Sequence, residues 1–563
     1  MFRVMRIGNL GASLAGALAL AALSAHAQRD PLTASFDWFQ YRGSDSVAGR
    51  NTATAYHNPI LQGFYPDPSV TLVGDDYYLV TSTFGYFPGI PVFHSKDLVN
   101  WTQIGNAIDR PDQLDFKKLG MSMGVFAPSI QARDGVFYIL NTCVGCGGNF
   151  LLTARDPAGP WSNPIWLPDL GGGIDPSLFF DDDGRAWLVS NDVPAGPPRY
   201  EGHRAIWAQA FDLGALHTIG PRTLLVDGGV DIATRPIWIE GPHILKKDGY
   251  YYLVAAEGGT EQGHSEVVFR SKNVLGPYLP GPNNPILTQR DLRPGRAHPI
   301  TSAGHAQLVQ TRRGDWWATF LAVRPYTGDF FNTGRETFLM PVTWQNGWPR
   351  ITRPGEAIPY SHARPRFPRQ PAARPATNGT LAIRDEFDGD VLPLYWMMLR
   401  NPHSRWYRLE DGRLVLTARH AGLGDNANPS FLARRQQNPN ASAETVVRFT
   451  PRQDGDRAGL VAFQNDQYWA SIAVGVAQGQ PVVTLEWRHG AEPTVVASAP
   501  LRAPPGAPVY LRITAKGADY SFAYAIKAGH WLPLGRVDGT TLSTRTAGGF
   551  IGTVFGPFAR SGE

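Results

Sequence analysis

The amino-acid sequence predicts an all-β protein, in which a five-bladed β-propeller is followed by an antiparallel, jelly-roll-like β-sandwich. Three observations support this prediction. Short aromatic-rich runs alternate with turn residues along the 563-residue chain, which contains 61 Gly and 47 Pro. One hairpin pattern recurs five times before residue 350. Beyond a stretch rich in Pro and Arg, short alternating strands return without that repeat, as in a β-sandwich.

Composition limits the classes of protein that fit. Hydrophobic residues make up 43% of the chain and charged residues 18%, which suits packed cores and excludes a disordered protein. The formal net charge is only +4, and the sequence has no long Lys/Arg block. We therefore do not expect nucleic acid as a partner. The length exceeds that of one ordinary domain.

The first 27 residues have the pattern of a signal peptide. Arg3 and Arg6 precede an apolar run at 10–24, and Ala25–Ala27 (Ala-His-Ala) forms an A-x-A cleavage site. The alternative, a membrane anchor, is disfavoured because the run is short for a span. No later segment is long and apolar enough to cross a bilayer. We expect an exported protein, secreted or periplasmic, with no membrane partner.

The two cysteines, Cys143 and Cys146, form an isolated C-x-x-C. In an oxidising compartment this spacing favours a short disulfide. No second Cys/His pair stands at zinc spacing, and the surrounding sequence lacks a thioredoxin-like βαβ pattern.

Each unit of the repeat is an acidic or Gly-containing turn followed by an aromatic-rich strand. The five turns lie at Asp76, Asp134, Asp183, Asp248 and Asp315. Their spacing of 49 to 67 residues fits one four-stranded propeller blade for each unit.

A short segment before each hairpin carries polar side chains at corresponding places. These segments contain Asp67, Asp175, Glu240 and His305 in blades one, three, four and five. Equivalent positions of a closed rotary repeat lie around one axis, so we expect these side chains to converge on a central funnel. The alternative for any single Asp-Pro is an ordinary turn that ends a blade strand.

Carboxyl groups that face each other across a sugar-sized gap are the groups that glycosidases use. One protonates the leaving oxygen, and the other activates water or attacks the sugar. A third carboxylate nearby can raise the pKa of the acid and hold it in position. Asp67, Asp175 and Glu240 meet this requirement.

Aromatic and basic side chains near these segments are candidate sugar contacts. They are Phe84, Tyr86, Phe126, His305, Arg324 and Arg335. Aromatics can instead pack in the core, a histidine can be structural, and an arginine can belong to an ion pair. These alternatives stay open.

The segments Asn58–Ser69, Ile174–Gly184, Glu240–His243 and Gly334–Phe338 resemble glycoside hydrolase family 43. The resemblance covers residues 57–350 and implies a five-bladed propeller of inverting enzymes. It implies that Asp67 is the general base, Glu240 the general acid and Asp175 the group that tunes and orients that acid. It further implies that Arg335 contacts substrate and that His305 is the axial histidine, which often lies near calcium. Structural calcium is thus possible near His305, and no other cofactor is expected.

The tail resembles the β-sandwich appended to xylosidase-type members of the family. Its markers are Phe387–Gly389, Leu399–Pro402, Trp406–Tyr407 and Arg434–Gln437. In such enzymes this domain packs on the propeller and can narrow the pocket mouth, which favours exo action.

The expected domain organisation follows from the repeat, the linker and both resemblances. It comprises a signal peptide at 1–27, an N-terminal extension at 28–56, the propeller at 57–353, a linker at 354–380 and the sandwich at 381–563.

Four segments depart from the β-xylosidase pattern, and we expect them to shape the sugar-binding subsites, which puts the substrate in doubt but not the reaction class. They are Phe36–Gly43, Gly85–Pro88, Phe126–Ser129 and an insert, Pro194–Tyr200, expected after blade three.

We expect an exo-acting glycosidase that releases pentose from xylan, arabinoxylan or xyloglucan side chains. β-D-Xylosidase is preferred and α-L-arabinofuranosidase is the alternative. The motifs of sucrose- and fructan-acting propellers are absent. A catalytically inactive carbohydrate-binding propeller should lack one of the three acids, and all three are present. The sequence does not predict the oligomeric state.

Overall fold

The computed structural model describes residues 30–45, 47, 49 and 51–562. The predicted signal peptide lies outside them. The regular secondary structure of this part of the chain is almost entirely β, which confirms the predicted fold class. Its helical segments are short: Pro168–Leu170, Ile232–Thr234, Gly539–Leu542 and Thr544–Ala547. Over the same residues, no helix has the length and apolar character that a membrane crossing requires.

Five antiparallel sheets follow one another along the chain and form the blades of the propeller. Blade one contains Ser69–Val73, Asp76–Val80, Gly89–Ser95 and Thr102–Ile108. Blade two contains Gly124–Val125, Ser129–Arg133, Val136–Val144, Gly148–Ala154 and Ile165–Trp166. Blade three contains Ile174–Phe180, Ala186–Asp192, Ala205–Asp212 and His217–Asp227. Blade four contains Glu240–Lys247, Tyr250–Glu257, Ser265–Ser271, Leu279–Pro280 and Leu287–Thr288. Blade five contains Thr301–Gln310, Trp316–Val323, Glu336–Gln345 and Trp348–Arg350.

One inner strand of each blade surrounds the propeller axis, and these strands close into a ring. The inner strand is the first strand of its blade except in blade two, where it is Ser129–Arg133. Each contacts the inner strand of the next blade, and that of blade five contacts that of blade one. Serine hydroxyls reinforce three of these junctions. Ser129 and Ser177 each donate to a proline carbonyl of the following blade, at 2.7 and 2.6 Å. Ser69 donates to Gln307 of blade five at 2.6 Å. Polar groups inside the ring are therefore satisfied by neighbouring blades.

Two eight-stranded antiparallel sheets form the sandwich, and the core lies between them. The strands of the first, in spatial order, are Tyr407–Glu410, Arg413–Thr417, Thr33–Ser44, Asn440–Phe449, Val509–Lys516, Asp519–Ala525 and Leu532–Asp538, with Leu381–Asp385 also paired to Thr33–Ser44. Those of the second are Thr494–Pro500, Gln480–His489, Tyr468–Ala477, Arg457–Asn465, Val554–Arg560, Ser430–Arg435, Met397–Leu399 and Tyr86–Phe87. Inward side chains of both sheets, such as Leu511 and Phe555, share one apolar cluster.

The N-terminal segment contributes a strand to the sandwich. Thr33–Ser44 pairs with Asn440–Phe449 and with Arg413–Thr417. Its Phe39 and Tyr41 are buried in the sandwich core, because alternate side chains of a strand face the same side. This placement corrects the expectation that Phe36–Gly43 shapes the sugar site, since Phe36, Phe39 and Tyr41 pack in the core of the sandwich.

Backbone hydrogen bonds join the propeller to the sandwich, and a further strand pair joins the segment before the propeller to the linker. Tyr86–Phe87 of the propeller pairs with Met397–Leu399 at the edge of the second sandwich sheet. Ala55–His57 pairs with Ser361–Ala363, which lies within the linker range.

Two further sequence expectations concern loops of the blades. Cys143 and Cys146 are joined by a disulfide at the hairpin between two strands of blade two. The insert Pro194–Tyr200 does not follow blade three. It lies inside that blade, between Ala186–Asp192 and Ala205–Asp212. The expectation was wrong because the blade's last two strands come after the insert and carry no aromatic hairpin signal.

Candidate active site

The three predicted acids do not occupy the same backbone position in their blades. Asp67, Asp175 and His305 share one position with left-handed φ values of 55°, 53° and 53°. Glu240 comes one residue earlier in its blade, and Gly241 occupies the left-handed position at 58°. A Cβ at Gly241 would lie 2.8 Å from Nε2 of His305, so this site requires glycine. The acids converge, but their positions do not match in all three blades.

Asp67 lies in a polar environment that favours its ionised form. Ser82 Oγ donates to Asp67 Oδ2 at 2.5 Å, and Arg335 Nη1 donates to Oδ1 at 3.3 Å. His305 Nδ1 is 3.8 Å from the same Oδ1. Burial by itself would raise the pKa of Asp67, but Arg335, His305 and Ser82 outweigh it. The pKa of Asp67 therefore lies below its ordinary value.

The other two carboxyl groups are shifted in the opposite direction. Burial, together with the negative charge of Asp67, raises the pKa of Asp175 to about 6, although His305 and the Gly241 N–H, 3.0 Å from Oδ2, oppose the rise. Burial and the charges of Asp175 and Asp67 raise the pKa of Glu240 to about 8. Because the three groups interact, their protons are shared among coupled steps. At neutral pH the site thus combines an ionised carboxylate with a protonated carboxylic acid.

This combination is the one that acid–base hydrolysis of a glycoside requires. A proton donor and a proton acceptor act together when their environments push their pKa values to opposite sides of the working pH. Asp67 can accept a proton from water, and Glu240 can give one to a leaving oxygen.

A wall of aromatic rings stands beside these carboxyl groups, and the sandwich supplies part of it. Phe550 stacks on Phe84, with ring centroids 5.8 Å apart, and meets Phe126 edge-on at 5.8 Å. The guanidinium of Arg335 lies 5.1 Å from the Phe550 centroid. Phe126 and Phe550 are partly exposed, whereas Phe84 is buried. Phe84 therefore supports the wall from behind and does not face a ligand as expected.

Two other predicted substrate contacts are placed elsewhere. Tyr86 is fully buried, with its ring 5.2 Å from that of Phe64, because it lies in the strand that joins the sandwich sheet. Arg324 is buried and donates to Glu336 from Nε at 2.6 Å and from Nη2 at 2.8 Å, while Nη1 pairs with Asp45. Its guanidinium neutralises two carboxylates and is a structural ion pair, so the substrate-contact prediction was wrong.

Three residues of the site were not predicted from the sequence. Ser82 follows the first hairpin but stands in no recurring motif, and Phe550 is far from the propeller in sequence. His264 is buried, its Nδ1 is 3.0 Å from the carbonyl oxygen of Ser302, and burial lowers its pKa to about 4. A neutral ring at His264 adds no charge beside Asp67.

Calcium takes six to eight oxygen ligands. Across residues 30–45, 47, 49 and 51–562, no group of three or more His, Cys, Asp or Glu side chains could hold a metal ion. The Asp67 carboxylate beside His305 is bound by Ser82 and Arg335. The side chains alone do not fit a calcium cage, and calcium near His305 stays a prediction.

Comparisons with known proteins agree with this geometry. The chain matches the family model for glycosyl hydrolases family 43 over residues 56–349, and the model for the beta-xylosidase C-terminal concanavalin A-like domain over 384–563. It is 41% identical to a xylosidase/arabinosidase of Butyrivibrio fibrisolvens, covering 74% of this chain and 79% of that protein. It is 38% identical to the non-reducing end α-L-arabinofuranosidase BoGH43B of Bacteroides ovatus, covering 90% and 91%.

A solved structure extends the likeness to nearly the whole chain. The crystal structure of a GH43_12 protein retrieved from a capybara gut metagenome superposes with a TM-score of 0.86 at 38% identity. The match covers 94% of this chain and 99% of that one. The fold, the convergent acids and the family models together show that this chain belongs to glycoside hydrolase family 43 and is a glycosidase.

Proposed function

We propose that this glycosidase is exo-acting and removes terminal pentose from plant hemicellulose by a single inverting displacement. The observation that carries the proposal is the convergence of three carboxyl groups on one site, where Arg335 and His305 face Asp67 and the Gly241 N–H binds Asp175. The pKa of Asp67 is lowered there and that of Glu240 is raised. Asp67 is the base that activates water. Glu240 is the acid that protonates the leaving oxygen. Asp175 raises the pKa of Glu240 and orients the site through the Gly241 N–H. Arg335 holds Asp67 ionised and offers further donors to substrate.

Exo action is supported by the contribution of the sandwich to the aromatic wall. Phe550 stands against Phe84 and Arg335, and its backbone N–H donates to Ser122 of the propeller at 3.0 Å. A wall fixed in this way narrows the space beside the acids. A terminal sugar enters such a space more readily than the middle of a chain.

For the sugar, we propose α-L-arabinofuranose first and β-D-xylopyranose second, which reverses the order that the sequence favoured. Of two relatives that each align over 90% of this chain, the one with the higher identity, 38%, is named a non-reducing end α-L-arabinofuranosidase, and the other, at 35% identity, is named a xylan 1,3-beta-xylosidase.

The deciding experiment compares 4-nitrophenyl α-L-arabinofuranoside with 4-nitrophenyl β-D-xylopyranoside, using the purified chain and an Asp67→Asn control. We expect higher kcat/KM on the arabinoside, and a loss of about 10²-fold or more in the variant. Proton NMR of the first-formed sugar should show the anomer opposite to that of the substrate. A first product with retained configuration would contradict the base role of Asp67. No release from either glycoside would contradict the pentosidase proposal.

We also propose that the protein is exported. The cleavage pattern at Ala25–Ala27 and the Cys143–Cys146 disulfide support this proposal. Mass spectrometry of the N-terminus after expression in a Gram-negative host should find Gln28 first. A cytoplasmic chain that retains Met1 or Phe2 would contradict it.

A further inference from the structure

The residues just before Glu240 form a partly exposed wall. Ile237 is 50% exposed, an unusual state for a large apolar side chain, and Trp238 is partly exposed. The guanidinium of Arg204 lies over the Trp238 indole at 4.2 Å from the ring centroid. Trp238 has a left-handed φ of 50°, a costly conformation for a bulky residue. The chain thus presents an aromatic face and a planar cation beside Glu240.

The loop of blade three that contains the insert, residues 193–204, holds this wall in place. The Trp238 N–H donates to the Gly202 carbonyl at 3.0 Å. Gly202 has a φ of 81°, and a Cβ there would lie 3.2 Å from Ile237 Cγ2. The loop is itself fixed to the last strand of the blade, because His203 and Arg199 both pair with Asp227, at 2.8 and 3.0 Å. The wall is therefore positioned before any ligand arrives.

The proposed role of Glu240 puts the wall on the side of the reaction where the leaving group departs. A general acid contacts the glycosidic oxygen, so the residues around it surround the sugar that leaves. Arg204 is close enough to Glu240 for its positive charge to oppose the rise of that group's pKa. Trp238 is two residues from Glu240 in the chain.

We propose that Trp238 and Arg204 form a leaving-group subsite, which binds the neutral sugar residue that bears the terminal pentose. The apolar face of a sugar ring can stack on the indole, and the guanidinium can donate two parallel hydrogen bonds to neighbouring hydroxyls. Ile237 extends the apolar surface beside the indole. The proposal rests on the proposed function, because it takes Glu240 as the acid.

The test uses two substrates that share the pentose and differ in the leaving group. One is a pentosyl fluoride, whose leaving group cannot contact the wall. The other is a hemicellulose oligosaccharide that carries the same pentose as a terminal branch. For Trp238→Ala and for Arg204→Gln, we expect kcat/KM on the oligosaccharide to fall about 10- to 100-fold. On the fluoride it should change by less than about twofold.

A matched control is available in the same blade. Arg222 lies over Trp207 at 4.8 Å and pairs with Asp192, so Arg222→Gln removes a similar cation–aromatic contact. This variant should leave both rates unchanged. Equal losses on both substrates would show that Trp238 and Arg204 only maintain the fold. Unchanged rates on both would show that the wall does not bind the leaving sugar. A wild-type enzyme that hydrolyses neither substrate would overturn the proposed function and the subsite together.

Discussion

Nε of Arg435, in the sandwich, donates a hydrogen bond to the backbone carbonyl of Phe64, in the propeller, at 2.7 Å. The same guanidinium covers the rings of Phe64 and Tyr65, at 4.5 and 4.1 Å. The Tyr65 N–H in turn donates to the Arg335 carbonyl at 3.1 Å. The sandwich therefore holds the segment that leads directly to Asp67. Because Arg435 is buried and contacts a backbone carbonyl and two aromatic rings, we expect it to fix the position of this segment and not to supply charge to the site.

Arg435→Gln should lower kcat about 10- to 100-fold, because a small displacement of the Asp67 segment disturbs the attacking water. It should also raise the pH at which kcat/KM falls on the acid side, since Asp67 moves relative to Arg335. Arg434→Gln is the control, because Arg434 is equally buried but covers Tyr41 and Tyr395 within the sandwich. Equal losses of kcat and thermal stability in both variants, with no change in the pH profile, would refute a positioning role for Arg435.

The pKa of Glu240 predicts the alkaline side of the pH profile. Because Glu240, as the proposed acid, must hold its proton to assist departure of the leaving group, kcat/KM should fall as the pH rises through about 8. With a 2,4-dinitrophenyl pentoside, whose leaving group needs no proton, this fall should disappear. A profile that is the same for both leaving groups would exclude Glu240 as the acid.

The same shift makes a prediction about stability. In the unfolded chain Glu240 ionises near its ordinary value of 4.5, whereas in the folded protein it holds its proton to about 8. Between these values the unfolded state binds fewer protons, so the free energy of unfolding falls as the pH rises. Glu240→Gln removes this loss. Its Tm should exceed that of the wild type at pH 7.5, by about 1 °C for each kcal/mol relieved, and equal it at pH 4. An equal difference in Tm between the variant and the wild type at both pH values would falsify the raised pKa of Glu240.

Ser82→Ala should move the acid side of the profile upward. The hydroxyl donates to Asp67, and a hydrogen bond to a charged group contributes about 1.5–3 kcal/mol, or roughly one to two pH units. The measurement is kcat/KM from pH 3 to 7 with a 4-nitrophenyl pentoside. Ser122→Ala is a control, because Ser122 contacts Phe550 and not Asp67. An unshifted acid limb in Ser82→Ala would show that this hydroxyl does not stabilise the ionised base.

Phe550→Ala should weaken binding of the terminal sugar. The partly exposed ring covers Phe84 and Arg335, so its removal opens the pocket and should raise KM about 10-fold or more. Leu532→Ala is an exposed control on the same domain. A KM that changes by less than twofold would show that Phe550 does not contribute to binding of the sugar.

Sequence reasoning succeeded where the chain repeats itself. The five hairpins predicted the blades, and the polar residues before them predicted that Asp67, Asp175, Glu240 and His305 converge. It failed where tertiary pairing decides. The sequence around Arg324 does not reveal that Glu336 and Asp45 neutralise it, because Asp45 lies before the propeller. The sequence also does not predict the contact between Phe550 and Arg335, since no repeat links the two domains.

The sequence itself indicates that Glu240 lies one residue earlier in its blade than Asp67 and Asp175 do in theirs. Glu240-Gly241-Pro242 places glycine where Asp67-Pro68 and Asp175-Pro176 place aspartate. The glycine accepts the left-handed backbone at low cost and leaves room for the His305 ring. Matching the prolines would have shown that the acid side chain starts one residue earlier.

The strand Thr33–Ser44 has a consequence for biosynthesis. A ribosome makes it before the propeller, yet its partner Asn440–Phe449 appears about 400 residues later. The propeller is thus an insertion within the sequence of the sandwich domain. The first sheet of that domain cannot form completely until translation is almost finished. A fragment that starts at residue 381 would lack a central strand, and the edges of Arg413–Thr417 and Asn440–Phe449 would expose unpaired backbone to other chains.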